Sequence, residues 1–146
     1  MALDATLAIF HHFFAFGLVG LLMAQWALLR GPADAVNAQR LARYDLFYGG
    51  TALLLLGVGL ARVFFGLKGV QFYAASPFFW AKLAFLAATA GVSVLPSLRY
   101  ARWRKQPGTA PDAALWIATR KLVVIEAHLL SGVMICAALM ARGIGL

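Results

Sequence analysis

The stretch Pro77-Phe78-Phe79-Trp80-Ala81-Lys82-Leu83-Ala84-Phe85-Leu86 opens an apolar run that continues to Leu98. A run of about 20 apolar residues is what an α-helix needs to cross the hydrocarbon core of a bilayer, about 30 Å thick. Lys82 interrupts this run near its start. A lysine at membrane depth costs about 2.5–3.5 kcal/mol even on lenient insertion scales. Such a residue usually faces the bundle interior, where it contacts a ligand, a cofactor or a counter-charge.

The rest of the chain has the composition of an integral membrane protein. Of its 146 residues, 63% are hydrophobic and 12% are charged, whereas soluble domains average about 45–50% apolar and about 25% charged. Membrane spans are helices or closed barrels, and long continuous runs rich in Ala and Leu indicate helices. We therefore predict one all-α domain over residues 1–146, an integral membrane four-helix bundle. Its predicted spans cover about residues 5–29, 46–66, 78–98 and 120–141.

Two alternatives are excluded early. The first apolar block is too long for a cleaved signal peptide and has no Lys or Arg before Arg30, so it is predicted to be a retained span. The single cysteine, Cys136, lies within the fourth block, and no Cys-x-x-Cys motif occurs. Covalent c-type haem attachment and thiolate zinc sites are therefore excluded.

The formal charge of +8 is distributed as a topology signal rather than as a nucleic-acid patch. Lys and Arg gather in the cytoplasmic loops of membrane proteins, and here they gather in loops 1 and 3. We therefore predict that these loops are cytoplasmic and that both termini face outward (N-out/C-out). The predicted location is the bacterial inner membrane, with anionic lipid as a partner and no nucleic acid. The loop cations are Arg30, Arg40, Arg43, Arg99, Arg102, Arg104, Lys105, Arg120 and Lys121.

Helix geometry places four polar side chains in one layer of the membrane. With each span centred on the bilayer and a rise of about 1.5 Å per residue, His11, His12, Arg62 and Lys82 all lie about 8–9 Å above the centre, on the outer side. His128 lies about 4–5 Å below it, an axial gap from His11 of about 13 Å. A bis-histidine haem held by His11 and His128 would therefore need the fourth helix to shift by about two turns.

Haem b is one candidate for that layer. Imidazole binds the iron axially, so His11 or His12 is the predicted ligand; adjacent residues diverge by about 100°, so one of them is expected to bind. Arg62 is a predicted propionate partner. Lys82 is predicted as a second ligand or as the catalytic, substrate-side cation. His128 stays among the cofactor-binding candidates.

Other interpretations of the layer remain open. A quinone or another small oxidisable molecule is one. A copper site built on His11 and His12 is another, although adjacent cations repel a metal ion. Alternatively, Arg62 and Lys82 extend to the headgroups and the histidines pack near the interface. In the fourth span, Glu126 and His128 indicate either a cytoplasmic-side proton path or, for Glu126, pairing with nearby basic residues such as Arg120 or Lys121.

Several segments resemble an uncharacterised bacterial family described only as predicted membrane proteins. This resemblance covers nearly the whole chain and implies a fold but no activity. The segments that carry it are His11-His12, Ala15-Phe16-Gly17-Leu18-Val19-Gly20, Arg43-Tyr44-Asp45, Tyr48-Gly49, Arg62-Val63-Phe64-Phe65, Lys68-Gly69, Pro77-Phe78-Phe79-Trp80-Ala81-Lys82-Leu83 and Met140-Ala141-Arg142-Gly143.

A more distant resemblance is to the HemJ-type protoporphyrinogen oxidases, which are small four-helix membrane proteins. Arg40-Leu41 with Asp45 and Tyr48 is similar to that family's entry to the second helix, and Trp80-Ala81-Lys82-Leu83 to its third-helix motif, one residue shorter between Trp and Lys. The resemblance implies haem b binding by His11 or His12 and by Lys82. The histidine is doubled here and the first helix otherwise lacks that family's pattern, so the substrate does not transfer.

The sequence therefore predicts an inner-membrane protein that binds haem b or a related redox cofactor. Its activity would be electron transfer or oxidation of a membrane-soluble substrate. Two further hypotheses come from other classes. One is a non-enzymatic accessory subunit of a larger membrane complex or a homo-oligomer. The other is a copper or small-solute transport protein.

Overall fold

The computed structural model describes residues 1–145, and its main elements are helices. Four of them are long and apolar enough to cross a membrane, so the predicted all-α membrane bundle is confirmed at this level. The short helix α3, within loop 2, is not predicted by the sequence analysis. The helices are α1 (Ala2–Arg30), α2 (Ala35–Phe65), α3 (Gly69–Ala75), α4 (Pro77–Arg104) and α5 (Ala113–Ala141).

The four long helices are arranged in a ring. Helix α1 packs against α2 and α5, and α4 packs against the same two helices. The pairs α1/α2 and α4/α5 pack most extensively, and the contacts between the pairs are sparser. We call the end of the bundle with loops 1 and 3 the inner end, and the end with loop 2 the outer end.

The inner end is closed by hydrogen bonds between helices. The Trp116 indole Nε1 donates to the Leu29 carbonyl at 3.0 Å and also reaches the Gly31 carbonyl. These carbonyls lie at the C-terminus of α1, where a helix leaves its last carbonyls without intrahelical partners. The Gln39 amide donates to the Trp103 carbonyl at 2.7 Å. Trp103 and Trp116 are therefore built into the protein interior, where both are more than nine-tenths buried.

At the inner end the helices reach beyond the apolar runs that predict them. Helix α2 begins at Ala35 and α5 begins at Ala113, and polar residues precede both starts. The Asp34 carboxylate accepts from Asn37 N at 2.7 Å, and the Asp112 carboxylate accepts from Leu115 N at 3.0 Å. Each aspartate is an N-cap that satisfies a free backbone donor. Capping therefore starts these helices in polar sequence, before the membrane-spanning residues begin.

The core of the bundle lies in its inner half. In α1, no residue within 2–17 is buried, and in α2 none within 49–65 is buried. The outer halves of these two helices therefore contribute no residue to the buried core. The buried core consists of Leu18, Leu22, Leu29, Ala38, Leu41, Ala42, Tyr48, Tyr100, Trp103, Trp116, Val123 and Leu130.

A glycine sets the close approach of α4 and α5. A Cβ atom added at Gly132 would lie 2.8 Å from ring atoms of Phe85, closer than unbonded carbon atoms pack. At Gly91 of α4, by contrast, an added Cβ would have no neighbouring atom within 4 Å. Gly132 therefore lets the Phe85 ring lie against the backbone of α5.

We expect Gly132→Ala to destabilise the bundle by about 1–3 kcal/mol, because the new methyl group overpacks the Phe85 ring. The matched control Gly91→Ala should be neutral or stabilising, since Ala is the better helix former. Thermal unfolding of both purified variants in the same detergent checks this. Equal unfolding temperatures for the two variants would contradict it.

The predicted N-out/C-out orientation is testable by cysteine labelling in intact cells, in a Cys136→Ala background. We expect a membrane-impermeant maleimide to label Lys68→Cys in loop 2 without lysis, because the basic loops are retained in the cytoplasm. Thr109→Cys in loop 3 should be labelled only after permeabilisation. The reverse pattern would show the opposite orientation. Both native residues are exposed.

Candidate functional site

Four polar or nucleophilic side chains, one from each long helix, lie at a similar height in the outer half of the bundle. We call His11, Arg62, Lys82 and Cys136 the outer cluster. Arg62 and Lys82 both lie within electrostatic range of the His11 imidazole, and Lys82 lies within range of Arg62 and Cys136. The structure thus brings together His11, Arg62 and Lys82, which the sequence predicts at one level of the membrane.

His11 faces α2. The side chain is partly buried, and a Cβ at Gly59 would lie 3.4 Å from its Cε1 atom. The imidazole therefore packs against the backbone of α2, at a position where glycine leaves room. Its Nδ1 atom is buried and, within residues 1–145, has no hydrogen-bond partner. A buried ring nitrogen without a partner is free to bind a ligand atom.

The two cations of the cluster are held inside the membrane-spanning segments. Arg62 Nε is buried without a hydrogen-bond partner among the described residues. Lys82 Nζ lies 5.4 Å from the centroid of the Phe79 ring, which is within cation–π range. Cations at this depth pair with opposite charges or mark ligand sites. The cluster has the charge to bind an acidic group.

The other predicted histidines lie outside the cluster. His12 and His128 are both exposed. Each ring Nδ1 lies 2.7 Å from a carbonyl of its own helix, that of Ala8 for His12 and that of Val124 for His128. Hence, of the His11–His12 pair, His11 is the inward one. Across residues 1–145, no group of three or more His, Cys, Asp or Glu side chains is arranged to hold a metal ion.

The segment between α2 and α4 borders the outer end. Tyr73 and Ser76 are buried there, and Ser76 precedes Pro77 at the start of α4. Ser76 is the N-cap residue of α4, but its hydroxyl is buried without a partner in the part of the chain that the structure describes. The Asp4 carboxylate of α1 accepts from the Leu67 backbone amide at 3.2 Å. The first turn of α1 is thereby attached to loop 2.

A second polar site, not predicted as a unit, lies in the inner half. Tyr48 Oη donates to Glu126 Oε1 at 2.6 Å, so it joins α2 and α5, which lie diagonally opposite in the ring. Glu126 is only 2% exposed. Pairing of Glu126 with Arg120 or Lys121 is thus not what the structure shows, because the carboxylate points inward to Tyr48. The glutamate side chain therefore lies in the centre of the bundle and not at its surface.

Further polar groups surround this pair. Ser97 Oγ donates to Asp45 Oδ1 at 2.7 Å. The Tyr100 hydroxyl, buried and without a partner among residues 1–145, lies within electrostatic range of Asp45 and Glu126. We call Asp45, Tyr48, Ser97, Tyr100 and Glu126 the inner polar centre. The spacing of Asp45 and Tyr48, three residues apart on one face of α2, is the sequence signal that points to it.

Together the fold and these two sites define a polytopic membrane protein with a cationic outer cluster and an acidic inner centre. The family model described as "Predicted membrane protein (DUF2214)" matches residues 3–145. The chain belongs to this family, and the predicted resemblance to a family of predicted membrane proteins is confirmed. No curated protein and no solved structure matches the chain. The resemblance to HemJ-type oxidases stays a prediction.

We expect Tyr48→Phe to lower the free energy of unfolding by about 1 kcal/mol or more, because it leaves the buried Glu126 carboxyl without its partner. Tyr44→Phe is the matched control, since Tyr44 is exposed and on the same helix. Unfolding of both variants by denaturing detergent measures the difference. Equal losses in the two variants would show that the diagonal hydrogen bond has no net effect on stability.

Proposed function

We propose that this chain is an inner-membrane redox protein whose outer cluster binds haem b for electron transfer or for oxidation of a membrane-soluble substrate. The observation that carries the proposal is the convergence of His11, Arg62 and Lys82 from three helices. One imidazole and two cations, placed together inside membrane-spanning segments, form a donor set suited to a cofactor with one metal-binding position and acidic substituents.

The residues present fit haem b in the chemistry of their donor atoms. His11 Nδ1 and Arg62 Nε are buried polar atoms without partners among the described residues, and a buried polar group without a hydrogen bond is costly unless a ligand supplies one. The outer halves of α1 and α2 have no buried residue within 2–17 and 49–65. These segments of α1 and α2 thus contribute no fully buried side chain that a large ligand would have to displace.

Each residue has a defined role in this proposal. His11 would hold the iron from one face. Arg62 would pair with a propionate, since guanidinium groups bind carboxylates with two parallel hydrogen bonds. Lys82 would be a second ligand or, facing the substrate, a positioning cation. When bound, haem b supplies one-electron transfer, and the protein supplies its orientation and its electrostatic environment.

The packing of the helices also indicates how a substrate would reach the outer cluster. A membrane-soluble substrate approaches from the lipid, between helices, and the sparser contacts lie between the α1/α2 and α4/α5 pairs. Lys82 lies in the second turn of α4, within electrostatic range of Arg62 and Cys136. A cation beside a bound substrate favours substrates that carry or develop negative charge during oxidation.

A second function is supported by the exposure of the outer halves. Large apolar side chains there, Phe13, Phe16 and Phe64 among them, are 63–70% exposed, and lipid or a partner helix would cover them. An accessory subunit of a membrane complex would use this face. Blue-native electrophoresis of gently solubilised membranes separates the two functions: a stoichiometric partner without pigment favours the accessory role.

We expect the protein, expressed with a haem precursor and purified in detergent, to show a Soret band that His11→Ala reduces at least several-fold. His12→Ala and His128→Ala are the matched controls and should keep the band, because both side chains are exposed and bound to their own helices. Difference spectra of the reduced and oxidised protein provide the measurement. The physical reason is loss of the imidazole that would hold the iron.

Three outcomes would contradict the proposal. The first is a wild-type protein that is folded, as judged by circular dichroism, and lacks the band. The second is loss of the band in His12→Ala as complete as in His11→Ala. The third is an unchanged haem affinity in the double variant Arg62→Gln/Lys82→Gln, since charge-assisted bonds to propionates should contribute to that affinity.

A further inference from the structure

A basic cavity lies in the groove between α1 and α5, toward the inner end of the bundle. Its volume is about 470 Å³. It is far along both helices from the outer cluster, so it is independent of the haem proposal. The lining residues are Trp26 and Arg30 of α1 with Arg120, Lys121, Val124 and Ile125 of α5.

The charge of this cavity selects an anion. Three of its lining side chains, Arg30, Arg120 and Lys121, are cationic, and none is acidic. The Arg30 guanidinium carbon lies 5.0 Å from the centroid of the Trp26 ring, a cation–π contact that holds the guanidinium near the groove. Clusters of Arg and Lys bind phosphate oxygens through charge-assisted hydrogen bonds. The cavity thus has the chemistry of a phosphate site.

The position of the cavity in the fold favours the phosphate of a lipid headgroup. Arg30 is the last residue of α1, at the end where the chain leaves the membrane, and Trp residues are enriched at this headgroup level. Val124 and Ile125 lie one turn further into the span than Arg120 and Lys121. The cavity therefore has cations on its polar side and aliphatic side chains on its membrane side.

A second, largely apolar cavity lies between the same two helices. It lies deeper along them and has a volume of about 210 Å³. From Lys121 to Met134 the helix rises by about 20 Å, which is comparable to an extended acyl chain in one leaflet. The lining residues are Val19, Leu22, Met23, Ala127, His128, Leu130, Ser131 and Met134.

We propose that the α1/α5 groove is a binding site for an anionic phospholipid. The phosphate lies among Arg30, Arg120 and Lys121, and an acyl chain follows the deeper groove past Met23 and Met134. A free phosphate would use the first cavity alone, whereas a phospholipid uses both. Basic pockets between membrane helices bind anionic headgroups by this combination of charge and interfacial position.

The test is lipid binding to the purified full chain. Native mass spectrometry of the detergent-solubilised protein, titrated with phosphatidylglycerol or phosphatidylcholine, gives an apparent Kd for each. We expect phosphatidylglycerol to bind more tightly. The triple variant Arg30→Gln/Arg120→Gln/Lys121→Gln should weaken its binding by on the order of tenfold to a hundredfold, since each cation near the surface contributes to attraction of anionic lipid.

A matched triple variant controls for net charge. Arg40→Gln/Arg43→Gln/Arg102→Gln removes the same number of cations from exposed positions that do not line the cavity, and it should keep the wild-type Kd. Unfolding temperatures in phosphatidylcholine report whether each variant is folded. Equal weakening in the two folded triple variants would overturn the proposal, because binding would then follow net charge alone.

A competition arm separates the lipid from a soluble phosphate. Inorganic phosphate and glycerol 3-phosphate should fail to displace phosphatidylglycerol at concentrations that saturate a headgroup site, because they do not occupy the deeper groove. If either displaces the lipid fully, the site takes soluble phosphate and the lipid proposal is wrong. Equal affinity for phosphatidylcholine and phosphatidylglycerol would also overturn it.

Discussion

Burial of the Glu126 carboxyl in the inner half requires a hydrogen-bond partner, since a buried polar group without one costs free energy. Tyr48 supplies that partner from the diagonally opposite helix at 2.6 Å. This contact fixes the rotation of α2 and α5 about their axes, because both side chains must point to the centre. The Asp45–Ser97 hydrogen bond connects α4 to α2, and the Trp116–Leu29 hydrogen bond connects α1 to α5. The inner half is therefore held together by specific polar contacts as well as by its apolar core.

The outer half is organised differently. It has cations where the inner half has carboxyl groups, and its α1 and α2 segments have no buried residue within 2–17 and 49–65. In lipid, apolar contact between helices gives little advantage over contact with acyl chains. The small buried area of these α1 and α2 segments therefore costs the protein little.

The sequence predicts the membrane bundle well because every backbone polar group in lipid must be hydrogen-bonded within the protein. This requirement determines both the hydropathy and the length of a membrane-spanning helix. The sequence also predicts that His11, Arg62 and Lys82 lie at the same depth in the membrane, because the rise per residue of a helix is nearly constant. Rotation about the helix axis is harder to predict. Whether His11 or His12 faces inward depends on how α1 packs against α2, including the space at Gly59. That information lies in the neighbouring helix.

The inner polar centre was missed for a related reason. Asp45 lies just before the apolar run of the second span, so hydropathy assigns it to a loop. In the structure, Asp34 caps the N-terminus of α2, and the helix therefore begins well before Asp45. As part of α2, Asp45 lies one turn before Tyr48 on the face that bonds to the other helices. Likewise, Glu126 lies near basic residues in sequence but accepts its hydrogen bond from Tyr48, 78 positions away. Sequence proximity is a poor guide to partners when helices cross the membrane in alternating directions.

The hydrogen bond between Asp4 and the Leu67 amide has a practical meaning for work on this protein. It makes the opening turn of α1 part of the rim around the outer half, so anything that pulls on that turn also pulls on the connection between α2 and α4. An affinity tag or fluorescent label joined directly before Met1 would therefore disturb the contact between Asp4 and Leu67. A tag or label is better inserted at another exposed point, such as the Pro107-Gly108 turn of loop 3.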